Sequence, residues 1–192
     1  MNKKTEILLE GTIMAALAMV LHFVPLNIGS SFTISLGQIP LTLFALRRGT
    51  KPALFAGLLW GMLYFVTGTA YILTPVQALI EYPIAFTFAG FAGLYHEPLM
   101  QAMHDHKDAK AKLAIIKGAL AGAGARFFWH FVAGWVFWGA YALWGMKPWL
   151  FSLVMNGASG LASAAVATIA LLIMYSMAPS IFRASLHRTS KV

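Results

Sequence analysis

The chain has 192 residues, of which 59% are hydrophobic and only 10% are charged, a composition far from that of soluble domains. It predicts an integral membrane protein of about six helices, each of about 20 residues, with no room for a soluble catalytic domain. The absence of cysteine excludes disulfides, thiolate metal sites and a cysteine nucleophile.

Apolar segments separated by proline, glycine or charged clusters predict an all-α fold, a six-helix bundle that forms one transmembrane domain over residues 1–192. The first segment is predicted to be a retained span, because no small-residue cleavage site follows it. The second and third are short for a perpendicular span, so we expect them to be tilted, broken, or continued by loop residues that cover a cavity. The six predicted segments are 5–25, 34–47, 53–67, 75–95, 113–136 and 149–178.

Positive charge predicts the orientation of the bundle in the lipid bilayer. Twelve of the 14 lysines and arginines fall in four clusters on one side, and the positive-inside rule then places both termini in the cytoplasm. The charge is spread over four edges with no soluble domain to carry a patch, so nucleic acid is a poor candidate partner. The clusters are Lys3 and Lys4; Arg47, Arg48 and Lys51; Lys107, Lys110, Lys112 and Lys117; and Arg183, Arg188 and Lys191.

Glu81 is an acid in the middle of the fourth apolar segment, followed by Tyr82 and a helix-bending Pro83. The other five acids lie near the N-terminus or in the polar stretch after residue 94. A charge inside a membrane helix is costly and is usually retained for function. The sequence therefore predicts that Glu81 belongs to a binding site.

The fifth segment carries a second unusual group. Arg126 and His130 are four residues apart and share one helical face, which continues to Trp138. A site between the fourth and fifth helices is the economical interpretation. In the alternative of a static bundle, Arg126 would only neutralise Glu81 and His130 would cap a helix carbonyl.

Polar and aromatic residues near the predicted outer face allow two readings each. Asn156, about two turns into the sixth segment, could bond across helices as packing glue or present its amide to a flat heterocycle. Trp144 and Trp149 are better explained as an aromatic belt at the membrane surface. Together, a carboxylate, aromatic faces and an amide suit a small, flat, positively charged ligand.

These residues lie in blocks that resemble one known family, the thiamine-specific substrate-binding subunits of energy-coupling factor transporters. The resemblance covers nearly the whole length, in EGTIMAALA, IPLTLFALRRGTKPALFAGLLWG, GTAYILTPVQALIEYPIAF, RFFWHFVAGWVFWGAYALWG and FSLVMNGASG. It implies a vitamin site near the outer face that is covered by the loops after helices one, three and five. It also implies three protein partners: a transmembrane coupling subunit and two ATPases.

By position, the resemblance implies substrate-binding roles for eight residues and supporting roles for two more. No catalytic residue, cofactor or metal is implied, and the chain has no GxxxxGK[ST] loop with which to hydrolyse ATP. The substrate-binding residues are Glu81, Tyr82, His130, Trp138, Asn156, Tyr71, Phe151 and Tyr141, and the supporting residues are Arg126, expected to tune Glu81, and Gln77.

Two positions depart from the family pattern. Phe151 lacks the hydroxyl of the tyrosine found in some members, and Ser31 or Phe32 stands where a first-loop tryptophan is expected, which weakens the predicted stacking in the lid. For docking onto the coupling subunit, the resemblance implies small residues four apart in helix one. The chain has two such pairs, Gly11 with Ala15 and Thr12 with Ala16.

Other classes of function fit the sequence less well. His104, Asp105 and His106 could suggest a metal site, but they stand in a hydrophilic segment that we expect to be a solvated loop. One glutamate and one histidine on different helices fall short of an intramembrane hydrolase. A thiamine precursor such as hydroxymethylpyrimidine is the serious competing ligand, and a purely structural membrane bundle is the remaining alternative.

Overall fold

The computed structural model describes residues 2–28 and 31–184, and within them it has the predicted six-helix architecture. Three helices, α1, α4 and α6, are long and apolar enough to cross a membrane. Arg188 and Lys191 of the predicted cytoplasmic clusters lie outside the described residues. The helices are α1 (Lys3–His22), α2 (Gln38–Arg48), α3 (Thr50–Val66), α4 (Pro75–His104), α5 (Asp108–Phe137) and α6 (Pro148–Met177).

A short hairpin precedes α2 and was not predicted. Strands β1 (Asn27–Ile28) and β2 (Phe32–Thr33) pair antiparallel, and two backbone N–H groups, one in β2 and one just after it, bond to α6. Thr33 N–H donates to Ser159 Oγ at 3.1 Å, and Ser35 N–H donates to Ser163 Oγ at 2.9 Å. With 11 residues, α2 is about 16 Å long and cannot span a bilayer alone. Residues 34–37, which the sequence analysis placed in the same segment, are not helical and connect α2 to the hairpin. This arrangement agrees with the alternative in which a short helix is continued by loop residues.

Helix α4 changes its winding along its length. A π-helical segment, Ile80–Ile84, follows the first turn, and a 3₁₀ segment, Ala89–Tyr95, follows further on. Pro83 has no N–H to donate in an α-helical ladder, and π-bulges of this kind often occur at functional sites. Glu81 lies inside the π segment.

The loop after α4 is shorter than predicted. The apolar run suggested a helix end at residue 95, but the helix continues to His104, and α5 begins at Asp108. The polar residues from 96 onward are helical because Leu99, Ala102 and Met103 give this turn a buried face. The expected solvated loop is therefore wrong for His104, which lies on the helix.

Glycines bring the backbones of α3 and α4 into direct contact. A Cβ on Gly61 would lie 2.8 Å from the Tyr82 carbonyl carbon, and one on Gly90 would lie 2.5 Å from the Leu54 nitrogen. Such close approach is possible only without a side chain. It packs Tyr82 against α3, where the Tyr82 and Tyr64 rings lie 5.1 Å apart.

The two small-residue pairs of α1 lie on different faces. Gly11 and Ala15 are buried inside the bundle, and a Cβ on Gly11 would lie 3.0 Å from Phe44 Cζ. Their predicted docking role is therefore wrong in this structure, since this pair packs α1 against its own neighbours. Thr12 and Ala16 are exposed, so their docking role stays a prediction.

Candidate ligand-binding cavity

A cavity of about 580 Å³ opens between the hairpin and helices α1, α4, α5 and α6. Its volume falls in the range of small-molecule sites. Nine of the ten residues singled out as substrate-binding or supporting line it, and the tenth, Gln77, lies behind Glu81. The nine are Tyr71, Glu81, Tyr82, Arg126, His130, Trp138, Tyr141, Phe151 and Asn156.

Two neutral donors hold the Glu81 carboxylate. Gln77 Nε2 donates to Oε2 at 2.6 Å, and Trp138 Nε1 donates to Oε1 at 2.6 Å. Both oxygens therefore accept hydrogen bonds, as a carboxylate does. The π segment and Pro83 present this side chain to the cavity while Tyr82, the next residue, packs against α3.

Aromatic rings form the wall beside Glu81. The ring centroids of Tyr71 and Trp138 are 5.3 Å apart, and those of Trp138 and Tyr141 are 5.6 Å apart. The Tyr82 hydroxyl accepts a hydrogen bond from the Tyr71 backbone N–H at 2.7 Å. Tyr71 and Tyr141 remain more than half exposed, so their faces are accessible to a ligand. Such faces attract a desolvated cation.

Arg126 does not pair with Glu81. Its Nη1 donates to Ser35 Oγ at 2.8 Å and to Gln38 Oε1 at 3.4 Å, and its guanidinium lies 4.0 Å from the Phe86 ring centroid. No ion pair joins it to a carboxylate among residues 2–28 and 31–184. The prediction that Arg126 tunes Glu81 is therefore wrong, because helix α5 directs Arg126 toward α2 and the segment before it.

His130 shares the cavity face with Arg126, as the spacing of four predicted. Its ring packs against Phe127 and Phe86, with centroids 5.3 and 5.8 Å away. Its Nε2 is buried and has no hydrogen-bond partner in the described part of the chain. It does not cap a helix carbonyl through that atom, as the static-bundle alternative required. A buried nitrogen without a partner is costly, and a polar ligand could satisfy it.

Asn156 uses half of its amide inside its own helix. Nδ2 donates to the Ser152 carbonyl and to Ser152 Oγ, each at 3.1 Å, whereas Oδ1 has no hydrogen bond among the described residues. Gly134 makes room for this pair, since a Cβ there would collide with Ser152 Oγ and approach Asn156 Nδ2 to 3.0 Å. The amide therefore offers an acceptor to the cavity rather than the expected donor and acceptor together.

Sequence reasoning missed several cavity residues. His22 lies at the end of α1 and packs against Tyr64 with its ring tilted by 49°, and the ring centroids are 4.5 Å apart. Five hydroxyl residues also line the cavity. His22, a histidine at the end of an apolar helix, could have been recognised as a candidate site residue from the sequence. Serines in membrane helices could not, because in sequence they look the same as serines that pack helices together. The hydroxyl residues are Ser31, Thr33, Ser35, Ser152 and Ser159.

The chemistry of the cavity is that of binding. No group of three histidine or acidic residues that could hold a metal ion occurs in the described ranges 2–28 and 31–184. A carboxylate beside a cluster of aromatic rings can hold a flat cation, and the hydroxyls and His130 can bond polar substituents. The fold and the cavity define a multi-pass helical membrane protein with a small-molecule site.

Comparison with known proteins identifies the family. The model of the thiamine transporter protein family matches residues 8–183, so the chain belongs to this family. This confirms the predicted resemblance, the multi-pass location in the bacterial cell membrane and the prediction that the chain is not an enzyme.

The chain is also similar to two curated proteins named thiamine transporter ThiT and to one solved structure of a protein named ThiT. The protein of Lacticaseibacillus paracasei is 38% identical over 94% of this chain and 92% of its own length. That of Bacillus subtilis is 28% identical over 95% of this chain and 98% of its own length. The solved structure of ThiT from Listeria monocytogenes is 50% identical, covers 95% of this chain and 100% of its own, and has a TM-score of 0.93.

Proposed function

We propose that the chain is the thiamine-binding subunit of an energy-coupling factor vitamin importer. The observation that carries this proposal is the Glu81 carboxylate, which is fixed by neutral donors alone at the edge of the aromatic wall. Thiamine is small, has two flat rings joined by a methylene bridge, carries one permanent positive charge on its thiazolium ring, and has an exocyclic amine on its pyrimidine ring. The carboxylate supplies its counter-charge and the rings supply stacking faces.

Each half of thiamine has a matching group in the cavity. Tyr71, Trp138 and Tyr141 offer ring faces, Glu81 attracts the cation or accepts from the amine, and Asn156 Oδ1 can accept an N–H of the same exocyclic amine. Phe151 packs without a hydroxyl, and Ser31 supplies no ring, so stacking falls to the loop after α3 and to α5.

Energy for import would come from partner subunits. The chain carries no ATP-binding loop, so ATP hydrolysis belongs to two ATPases that act through a transmembrane coupling subunit. Thiamine would enter from outside, and the loaded bundle would deliver it inward while docked on the coupling subunit. The positive clusters predict that both termini face the cytoplasm.

Titration of the detergent-purified protein tests the ligand. Trp138 contacts Glu81, so its fluorescence reports occupancy of the cavity. We expect saturable quenching by thiamine at lower concentration than by hydroxymethylpyrimidine, which lacks the cationic ring. Equal response to both would favour the precursor as substrate, and silence toward both would favour a static bundle.

The exposed Thr12 and Ala16 pair tests the docking proposal. Ala16→Leu adds bulk to an exposed face of α1, so we expect loss of co-purification with the coupling subunit and of thiamine uptake by cells, with thiamine affinity unchanged. Ala165→Leu, at an exposed alanine of α6, is the matched control. Normal uptake by Ala16→Leu would show that this face of α1 does not dock.

A further inference from the structure

The side-chain amide of Gln77, next to the cavity, is held by hydrogen bonds at both its oxygen and its nitrogen. The residue is fully buried, and its amide makes four hydrogen bonds of 2.6 to 3.4 Å. An amide offers two N–H donors and an acceptor oxygen with two lone pairs, so every position is occupied. A buried amide with this geometry has one stable orientation, since turning it over would break all four bonds.

Three of these bonds hold the loop between α3 and α4. Gln77 Oε1 accepts from the backbone N–H groups of Leu73 at 2.8 Å and Thr74 at 3.4 Å, and Nε2 donates to the Tyr71 carbonyl at 3.1 Å. Thr74 completes a capping box by accepting from the Gln77 backbone N–H at 3.1 Å. The side chain of Gln77 therefore shapes the loop that carries Tyr71.

The fourth bond reaches the ligand site. The second N–H of Gln77 donates to Glu81 Oε2 at 2.6 Å, one helical turn further along α4. The loop and the carboxylate are therefore bonded directly to the two ends of one planar amide.

A second route joins the same two regions. The Tyr71 backbone N–H donates to the Tyr82 hydroxyl at 2.7 Å, and the Tyr71 ring packs against Trp138, which donates to the other oxygen of Glu81. Displacement of the loop would therefore disturb both carboxylate oxygens. If Glu81 reorients toward a ligand, it changes its bonds to Gln77 and Trp138, the two side chains that contact the loop.

We propose that Gln77 is a positioning residue that couples the Glu81 carboxylate to the conformation of loop 67–74, so that a ligand bound at Glu81 holds this loop closed. The identity of the ligand rests on the proposed function. The hydrogen bonds that connect Gln77 to the loop and to Glu81, the structural half of the coupling, are present without ligand. A loop that is held through the Glu81 carboxylate, which also binds the ligand, slows ligand release more than it changes ligand entry.

Amide hydrogen exchange on the ligand-free protein tests the structural half. Gln77→Met keeps the length of the side chain and removes all four bonds, so the Leu73 and Thr74 amides should exchange at least about tenfold faster, because each loses its acceptor. Gln101→Met is the matched control, since Gln101 donates to Asp105 Oδ1 at 2.8 Å with the same spacing of four on α4 but away from the cavity. Unchanged exchange in Gln77→Met would overturn the proposal whether or not thiamine binds.

The wild-type protein gives a test that needs no variant to fold. Leu73 and Thr74 do not line the cavity, so a bound ligand does not shield their amides by direct contact. We expect saturating thiamine to slow their exchange. If thiamine binds and leaves these two amides unchanged, the coupling does not exist; if thiamine does not bind, the proposed function fails instead.

A double-mutant cycle separates positioning from simple stabilisation of the helix start. We expect Gln77→Met to weaken thiamine binding about tenfold, mainly through faster release, and to add little in a Glu81→Gln background, because both changes act on one carboxylate. Thr74→Ala removes the cap and leaves the four side-chain bonds, so it should lower the melting temperature with little loss of affinity. Equal losses of affinity in Thr74→Ala and Gln77→Met, or additive losses in the cycle, would overturn the positioning role.

Discussion

Glu10 and Glu81 both lie on membrane-spanning helices, but their hydrogen-bond partners differ in charge. Glu10 Oε1 lies 2.5 Å from Arg47 Nε, and its Oε2 lies 2.5 Å from Arg48 Nη2, which also binds Glu6 Oε1 at 2.7 Å. Arg47 further donates to the Ile181 and Arg183 carbonyls. The ion pairs join α1 to α2, and the hydrogen bonds of Arg47 add the segment after α6.

Glu81 has neutral donors only, Gln77 and Trp138, and it lines a cavity. A carboxylate that is matched by arginines has its charge neutralised within the protein, whereas one held by neutral donors keeps its charge for a ligand. The comparison separates an acid that stabilises the bundle from an acid that is positioned to bind.

Glu81→Gln is the substitution with the largest expected effect on binding. It removes the charge and keeps the shape, and we expect thiamine affinity to fall about 100-fold, which corresponds to about 2.7 kcal/mol for a hydrogen bond to a charged group. Calorimetric titration measures the loss. Folding stability should fall by only about 1 kcal/mol, because no ion pair is broken at this site in the described chain but the single amide oxygen of glutamine leaves either Gln77 or Trp138 without an acceptor.

Glu10→Gln should give the opposite pattern. It leaves Arg47 and Arg48 without one carboxylate partner, and their side chains are only 16% and 5% exposed, so we expect a cost of about 2 kcal/mol in stability. Thermal unfolding in detergent should show a lower melting temperature, while thiamine affinity stays at the wild-type value. A fall in affinity without a fall in melting temperature would contradict the division between the two acids.

The helices could be predicted because hydropathy is local. Runs of apolar residues predicted all six helices. The helix end was placed wrongly where a polar segment has a buried face, as at His96–His104. The hairpin was missed because its strands have two residues each and depend on Ser159 and Ser163 of α6, more than 120 positions away. No local pattern encodes such a contact.

The sequence predicted those parts of the site that follow from the chemistry and spacing of single residues. Glu81 stood out because an isolated acid in an apolar helix needs a reason, and the spacing of Arg126 and His130 correctly placed them on one face. The partner of Arg126 was wrong because spacing fixes a face of one helix, not the neighbour that it meets. Ser35, in an irregular segment, became visible as that partner only in three dimensions.

Trp138→Phe has the smallest expected effect on binding. It separates the two roles of Trp138, which donates a hydrogen bond to Glu81 and also presents an aromatic ring beside it. Phenylalanine keeps an aromatic face and removes the Nε1 donor, so Glu81 Oε1 loses its 2.6 Å bond and the carboxylate is less firmly oriented. We expect about a tenfold loss of thiamine affinity, or about 1.4 kcal/mol, measured by calorimetry because the fluorescence signal is altered. Trp135→Phe is the control, since Trp135 lies one turn earlier on α5, is half exposed and does not line the cavity. Equal losses in the two variants would mean that bulk on α5 matters and the donor does not, whereas an unchanged Trp135→Phe would place the effect in the bond to Glu81.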